Sequence, residues 1–336
     1  MNWNFKKNVK LRGVQILALG FLGVILVGAL ILTLPISTTK GESTNFLDAL
    51  FTATSAVCVT GLIVVDTGTY WNAFGQTVIM ILIEIGGLGF MSFTTLIAII
   101  LGKKITLRER LILQDAMNTF NIQGLVKMVR YVLIFTVSVQ FFGALLFSTQ
   151  FVPEYGLGKG IFYSIFHSIS AFCNAGFDIL GKFNSLTSYN SNAVVILVAS
   201  ALIIIGGLGF TVWSELYSSK SLRKVSLHSK MVILMTVVLV VGGTLLMFLF
   251  ENNNINTIAD MSFIDKVMNS FFASVTPRTA GFNSIPTDGM TTAGKFLTII
   301  LMFIGGSPGS TAGGIKTTTI GILIVTIVCV IQGRED

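Results

Sequence analysis

Charge is scarce in this chain. Only 11% of its 336 residues are Asp, Glu, Lys or Arg, against about 25% in an ordinary soluble domain. So few charges leave too little polar surface to cover a water-soluble fold of this length. Cysteine is scarce too: Cys58, Cys173 and Cys329 are widely spaced, odd in number and contain no C-x-x-C, which argues against a disulfide framework or a zinc site. His167 and His228 are the two histidines. There is no H-E-x-x-H and no nucleophile–base pattern, so nothing points to an enzyme. His167 falls in a short apolar stretch and reads as a packed, hydrogen-bonded residue, and His228 as a solvated one.

What is abundant is apolar. Hydrophobic residues make up 53% of the chain and the mean hydropathy is +0.83, so the implied solvent is lipid. Crossing a bilayer takes about 20 apolar residues. Six stretches qualify: Ile16–Leu34, Thr77–Leu101, Tyr131–Phe147, Ala193–Trp213, Met231–Phe250 and Phe296–Ile331, the last interrupted by glycines. The first follows a basic stretch but is long for a signal sequence and has no small-residue cleavage site, so it reads as a retained span. The net charge of +7 is concentrated at Lys6, Lys7, Lys10 and Arg12, at Lys103 to Arg130, and at Lys220 to Lys230. Short basic clusters between apolar runs are not the single charged face of a nucleic-acid binder. They mark the cytoplasmic side of a membrane protein.

Three shorter apolar stretches, Asn45–Val57, Ile161–Phe172 and Ser262–Val275, are too short to span and are candidates for re-entrant helices. Asn45 with Asp48, and Ser262 with Asp265, are helix-start signals. Each short stretch runs into a glycine turn, and the three turns align: Ala56-Val57-Cys58-Val59-Thr60-Gly61-Leu62, Ala171-Phe172-Cys173-Asn174-Ala175-Gly176-Phe177 and Thr276-Pro277-Arg278-Thr279-Ala280-Gly281-Phe282. A second glycine element follows each turn after 25, 30 and 24 residues: Gly86-Gly87-Leu88-Gly89-Phe90, Gly206-Gly207-Leu208-Gly209-Phe210 and Gly305-Gly306-Ser307-Pro308-Gly309. The chain is therefore an internal repeat of span, short helix, turn and span. Two spans per unit place the N-terminus and the basic linkers on one side, so the charge and repeat arguments agree on a cytoplasmic N-terminus. The short helices then face outside, among acidic segments holding residues such as Asp66 and Asp178.

Irregular backbone at membrane depth costs several kcal/mol per unsatisfied group unless it is buried in protein or lines a cavity. The physical reading of three such turns is an ion filter. Peptide carbonyls replace a cation's hydration shell, glycine supplies the backbone angles, and short-helix C-termini add partial negative charge. The Gly-Gly-Leu-Gly elements read as packing glycines. The run Gly305-Gly306-Ser307-Pro308-Gly309-Ser310-Thr311-Ala312-Gly313-Gly314-Ile315-Lys316 cannot hold a regular helix and reads as a movable loop beneath the filter. It is not a Walker loop, because Ile315 separates the glycine from Lys316 and no strand precedes it. Lys316 has two readings, a barrier or tether in the cation path and a side chain reaching toward the cytoplasm. Arg278 either donates to filter carbonyls or pairs with an outer carboxylate. Glu84 either pairs with a basic residue or lines the ion path.

These motifs, Cys-Val-Thr-Gly-Leu, Cys-Asn-Ala-Gly-Phe, Arg-Thr-Ala-Gly-Phe, Gly-Gly-Leu-Gly-Phe and above all Gly-Gly-Ser-Pro-Gly-Ser-Thr-Ala-Gly-Gly-Ile-Lys-Thr, resemble the Trk/Ktr/HKT superfamily of potassium transporters, nearest to its bacterial KtrB type. The resemblance covers nearly the whole chain. It implies an all-α polytopic membrane protein with four pseudo-repeats, and potassium as the transported ion, held only through backbone carbonyls. The filter residues would be Cys58, Val59, Thr60, Gly61, Cys173, Asn174, Ala175, Gly176, Arg278, Thr279, Ala280 and Gly281. Gly305 to Gly314 and Lys316 would form the gating loop. It also implies a homodimer in the lipid of the plasma membrane, with a KtrA-like cytoplasmic nucleotide-binding regulatory subunit that carries the nucleotide, so none sits on this chain. Sodium is left open as a modulator.

Three of the four repeats are expected here. The boundaries are 1–13 for a cytoplasmic N-terminus, 14–102 for repeat 1, 103–130 and 218–230 for linkers, 131–217 for repeat 2 and 231–333 for repeat 3, with the fourth repeat absent. The expected function is potassium uptake. The alternative is a non-conducting, incomplete subunit or scaffold that needs a fourth repeat or another subunit.

Overall fold

The computed structural model describes residues 13–89, 125–219 and 224–333. Among them the secondary structure is α-helical, with short 3₁₀ segments and two isolated β-bridges. Helices α1 (Gly13–Thr33), α2 (Phe46–Val57) and α3 (Ala73–Leu88) form the first unit. The second consists of α4 (Leu125–Tyr155), α5 (Leu157–Phe172), α6 (Ala193–Leu208) and α7 (Phe210–Ser219). The third consists of α8 (Leu227–Glu251), α9 (Phe263–Val275), α10 (Thr292–Phe303) and α11 (Thr317–Ile331).

Helix α1, α4 and α8 are each long and apolar enough to cross a membrane. The helices that follow them, α2, α5 and α9, have 12, 16 and 13 residues. At about 1.5 Å per residue they fall short of a hydrocarbon core about 30 Å thick. Asparagine, serine and threonine side chains start most of the elements. Asn45 accepts from Leu47 N, Asn72 from Phe74 N and Gly75 N, and Asn192 from Val195 N. Ser262 accepts from Asp265 N, and Thr291 from Gly294 N. Each satisfies N–H groups that the first helical turn leaves unpaired.

The packing repeats as the sequence does. Each long helix lies against its own short helix, α1 on α2, α4 on α5 and α8 on α9. The most extensive helix contacts between units are of one type used twice: the second-span helix of one unit meets the short helix of the next, α3 on α5 and α6 on α9. The short helices therefore occupy the centre.

Several boundaries differ from the sequence reading. Helix α4 starts at Leu125, inside the expected linker, and α5 starts at Leu157 rather than Ile161. The expected continuous span Ala193–Trp213 breaks at Gly209 (φ +95°), where α7 leaves α6 at 90°. A left-handed residue cannot continue a right-handed helix, and the apolar composition on both sides conceals the break. The far half of the expected Thr77–Leu101 span, the N-terminal basic cluster and most of the 103–130 linker lie outside the described residues.

Candidate functional site

Each short helix must dispose of its last carbonyls. In the first unit Cys58 N donates to Thr54 O, Val59 N to Ala56 O and Thr60 N to Ser55 O, at 2.8, 3.2 and 2.9 Å. The second unit repeats this ladder: Cys173 N donates to Ile169 O, Asn174 N to Ala171 O and Ala175 N to Ser170 O, at 2.9, 3.1 and 2.8 Å. The third departs from it at Pro277, which has no N–H. There Arg278 N donates to Val275 O, while Ala280 N and Gly281 N both donate to Thr276 O.

Backbone angles carry the same signature three times. Val59, Asn174 and Thr279 have φ of +56°, +57° and +72°, and Gly61, Gly176 and Gly281, two residues on, have +73°, +70° and +84°. Asparagine tolerates the left-handed region, but Val59 and Thr279 are β-branched and out of place there. Such residues cost about 1–3 kcal/mol each and cluster where function needs the conformation. The Asn174 amide, oriented to donate, reaches Ala171 O at 3.1 Å and Ile203 O at 3.2 Å.

The turns converge. A Cβ on Gly61 would overlap the Ala175 carbonyl oxygen and come within 3.3 Å of Gly176 Cα. One on Gly176 would overlap Ala280 O and come within 3.2 Å of Gly281 Cα. Gly281 has only Gly176 Cα nearby, at 3.7 Å. The first turn thus touches the second and the second touches the third. The first and third instead face a shared cavity of about 970 Å³, lined by Val59 and Thr60 on one side and Thr279 and Gly281 on the other.

The same cavity is lined by Thr311, Ala312, Gly313 and Gly314 of the loop between α10 and α11. That loop is not a helix, yet much of its backbone is paired. Gly305 N donates to Ile315 O and Gly306 N to Gly313 O, while Thr317 N donates to Gly306 O. It also grips the broken α6: Ser307 N donates to Gly207 O at 3.0 Å, Thr311 N to Gly206 O at 3.2 Å, and Phe210 N to Gly309 O at 2.8 Å. Lys316 Nζ donates to Ala312 O at 2.8 Å, which makes it a tether within the loop.

Not every expected turn residue reaches the cavity. Cys58 is exposed to it, whereas Cys173 is fully buried and turns its thiol toward Glu84 Oε2, 3.4 Å away. Gln140 Nε2 donates to the same carboxylate at 2.8 Å. Glu84 thus binds neutral groups of the second unit and braces the back of the second turn. Arg278 is 5% exposed, and its Nε has no hydrogen-bond partner among the described residues. Gly86 and Gly206 sit against the last carbonyls of the neighbouring short helices, Val57 O and Phe172 O, where a side chain would collide. His167 is buried with Nδ1 2.7 Å from Tyr163 O, and His228 is exposed. On the rim beyond the turns, Asp66 accepts from Thr69 N and Phe183 N, tying the first unit to the second. Nearby Asp178, half-buried, has its carboxyl raised to about 6 by burial and by the charge of Asp66. The Gln140 and Thr311 contacts had no signal in the sequence.

Long helices, non-spanning helices and converging turns define a multi-pass membrane transport protein. The chain belongs to the TrkH family of cation transport proteins, whose family model matches residues 20–336. It is 49% identical over 331 residues to the potassium/sodium uptake protein NtpJ of Enterococcus hirae, covering 98% of this chain and 73% of that protein. It is 45% identical over 322 residues to the Ktr system potassium uptake protein B of Bacillus subtilis, covering 96% and 72%. The crystal structure of the potassium transporter TrkH from Vibrio parahaemolyticus superposes with a TM-score of 0.70 at 19% identity, over all of this chain and 66% of that one, which establishes the common fold.

Proposed function

We propose that this chain forms the ion-translocating wall of a potassium uptake system, with carbonyls of the three glycine turns as ligands and the 305–316 loop as the gate. The observation that carries this reading is the convergence of Gly61, Gly176 and Gly281, next to a cavity that Gly281 and the loop residues Thr311 to Gly314 help to line. Left-handed residues two apart re-aim successive peptide planes, and a cation stripped of water needs oxygens offered in that way. No titratable side chain is required of the turns. The relatives' names supply the ion: one is a potassium/sodium uptake protein and another a Ktr system potassium uptake protein. Sodium is then a second cargo or a modulator. The same reading takes the N-terminus as cytoplasmic, the membrane as the plasma membrane, and the partners as a second copy of the chain and a nucleotide-binding KtrA-like ring.

Purified into nanodiscs, the chain is expected to unfold at a higher temperature in potassium than in sodium at equal ionic strength. Superimposable melting curves would remove the turns as potassium ligands. A second reading, a subunit that does not conduct alone, is favoured by the gap between the first and third turns. Expression in a potassium-uptake-deficient bacterium decides it: the chain alone is expected not to restore growth at low potassium, and restored growth would refute that.

A further inference from the structure

The last carbonyls of α5 can be accounted for one by one. Ile169 O, Ser170 O and Ala171 O accept from amides of the second turn itself. The final one, Phe172 O, accepts from the hydroxyl of Thr311 at 3.0 Å, a residue 139 positions away in the loop of the third unit. The corresponding carbonyl of α2 is that of Val57. Its three predecessors are satisfied by Cys58, Thr60 and Val59. Val57 O itself receives no hydrogen bond among the described residues, and Val57 lines the cavity. Gly86 and Gly206 pack alike against these two oxygens, and among the described residues Thr311 is the hydrogen-bond donor that distinguishes the second site from the first.

We propose that Thr311 is a positioning residue that couples the loop to the second turn by capping the Phe172 carbonyl. This deepens the filter-and-gate reading and rests on it for the identity of the ion. While the loop lies on α6, the hydroxyl occupies the oxygen at the negative end of the short helix, where the partial charge is greatest. When the loop withdraws, the Thr311 cap leaves with it. Phe172 O then faces the space that Thr311, a lining residue of the cavity, has vacated, and becomes an acceptor for a cation. Loop displacement therefore changes the ligand set as well as the passage width. By linkage, a cation drawn to that oxygen favours the displaced loop.

Hydrogen–deuterium exchange of the full chain in nanodiscs tests the coupling. Thr311→Val keeps the shape and removes the donor. It is expected to speed exchange in the loop and, by roughly three- to tenfold, in the second turn around 173–177. The first turn, around 58–61, should keep its wild-type rate. Thr311→Ser, which retains the hydroxyl, should restore both regions. Faster exchange confined to the loop, an unchanged second turn, or a Ser variant no better than Val would overturn the proposal. Running the wild type in potassium and in sodium separates the two ideas. If the cations act alike while Thr311→Val still loosens the second turn, the filter reading fails and the coupling stands.

Discussion

A methyl group is enough to test the turns. At Gly176 a side chain would have to occupy the left-handed region and also overlap Ala280 O of the next turn. In a conducting assembly, Gly176→Ser is expected to lower the potassium-over-sodium flux ratio by at least roughly tenfold, equivalent to about 1.4 kcal/mol. An unchanged ratio would count against that glycine as part of the filter. Asp178 offers a pH test outside the spans. Its carboxyl is raised from 3.8 to about 6, so the folded chain holds the proton more tightly than the unfolded chain. The resulting stabilisation is complete below the ordinary value and is lost as pH rises through about 6. Melting temperature should therefore fall between pH 5 and 7.5 in the wild type, and less so in Asp178→Asn. Equal slopes would sink the assignment. The turn glycines were legible because their aligned pattern lies within seven consecutive residues. Glu84, Gln140 and Cys173 were not, since 56 residues separate the first two and 33 the last two. Apolar patterning carries no information about which distant polar groups meet.

Among elements, the short helices and the interrupted third span could be read from length and glycine content, because both depend on local chain properties. The right-angle break between α6 and α7 could not. Hydropathy continues across Gly209, and the break is stabilised by amides of the 305–316 loop, which supply donors to Gly206 O and Gly207 O. Gly206 is where α6 touches α5, so Gly206→Ala must push the two apart. Overpacking of this kind costs about 1–3 kcal/mol, and a lower melting temperature in detergent or nanodiscs should report it. A variant as stable as the wild type would mean that α6 and α5 are less closely seated. Gly23, with open space around its Cα, is the control and should tolerate alanine.

At the scale of the whole molecule, the three units share packing but not chemistry. The first turn has an exposed thiol at its opening position, the second a buried thiol braced by Glu84, and the third a buried guanidinium. Pro277 alone gives the third turn a different hydrogen-bond closure. A channel assembled from identical short chains must accept every substitution on all of its sides at once. Here each side has its own codon. On the filter-and-gate reading proposed above, one wall could be stiffened, another loosened and a third handed to a moving segment without disturbing the others, so that selectivity and opening would answer to separate mutations.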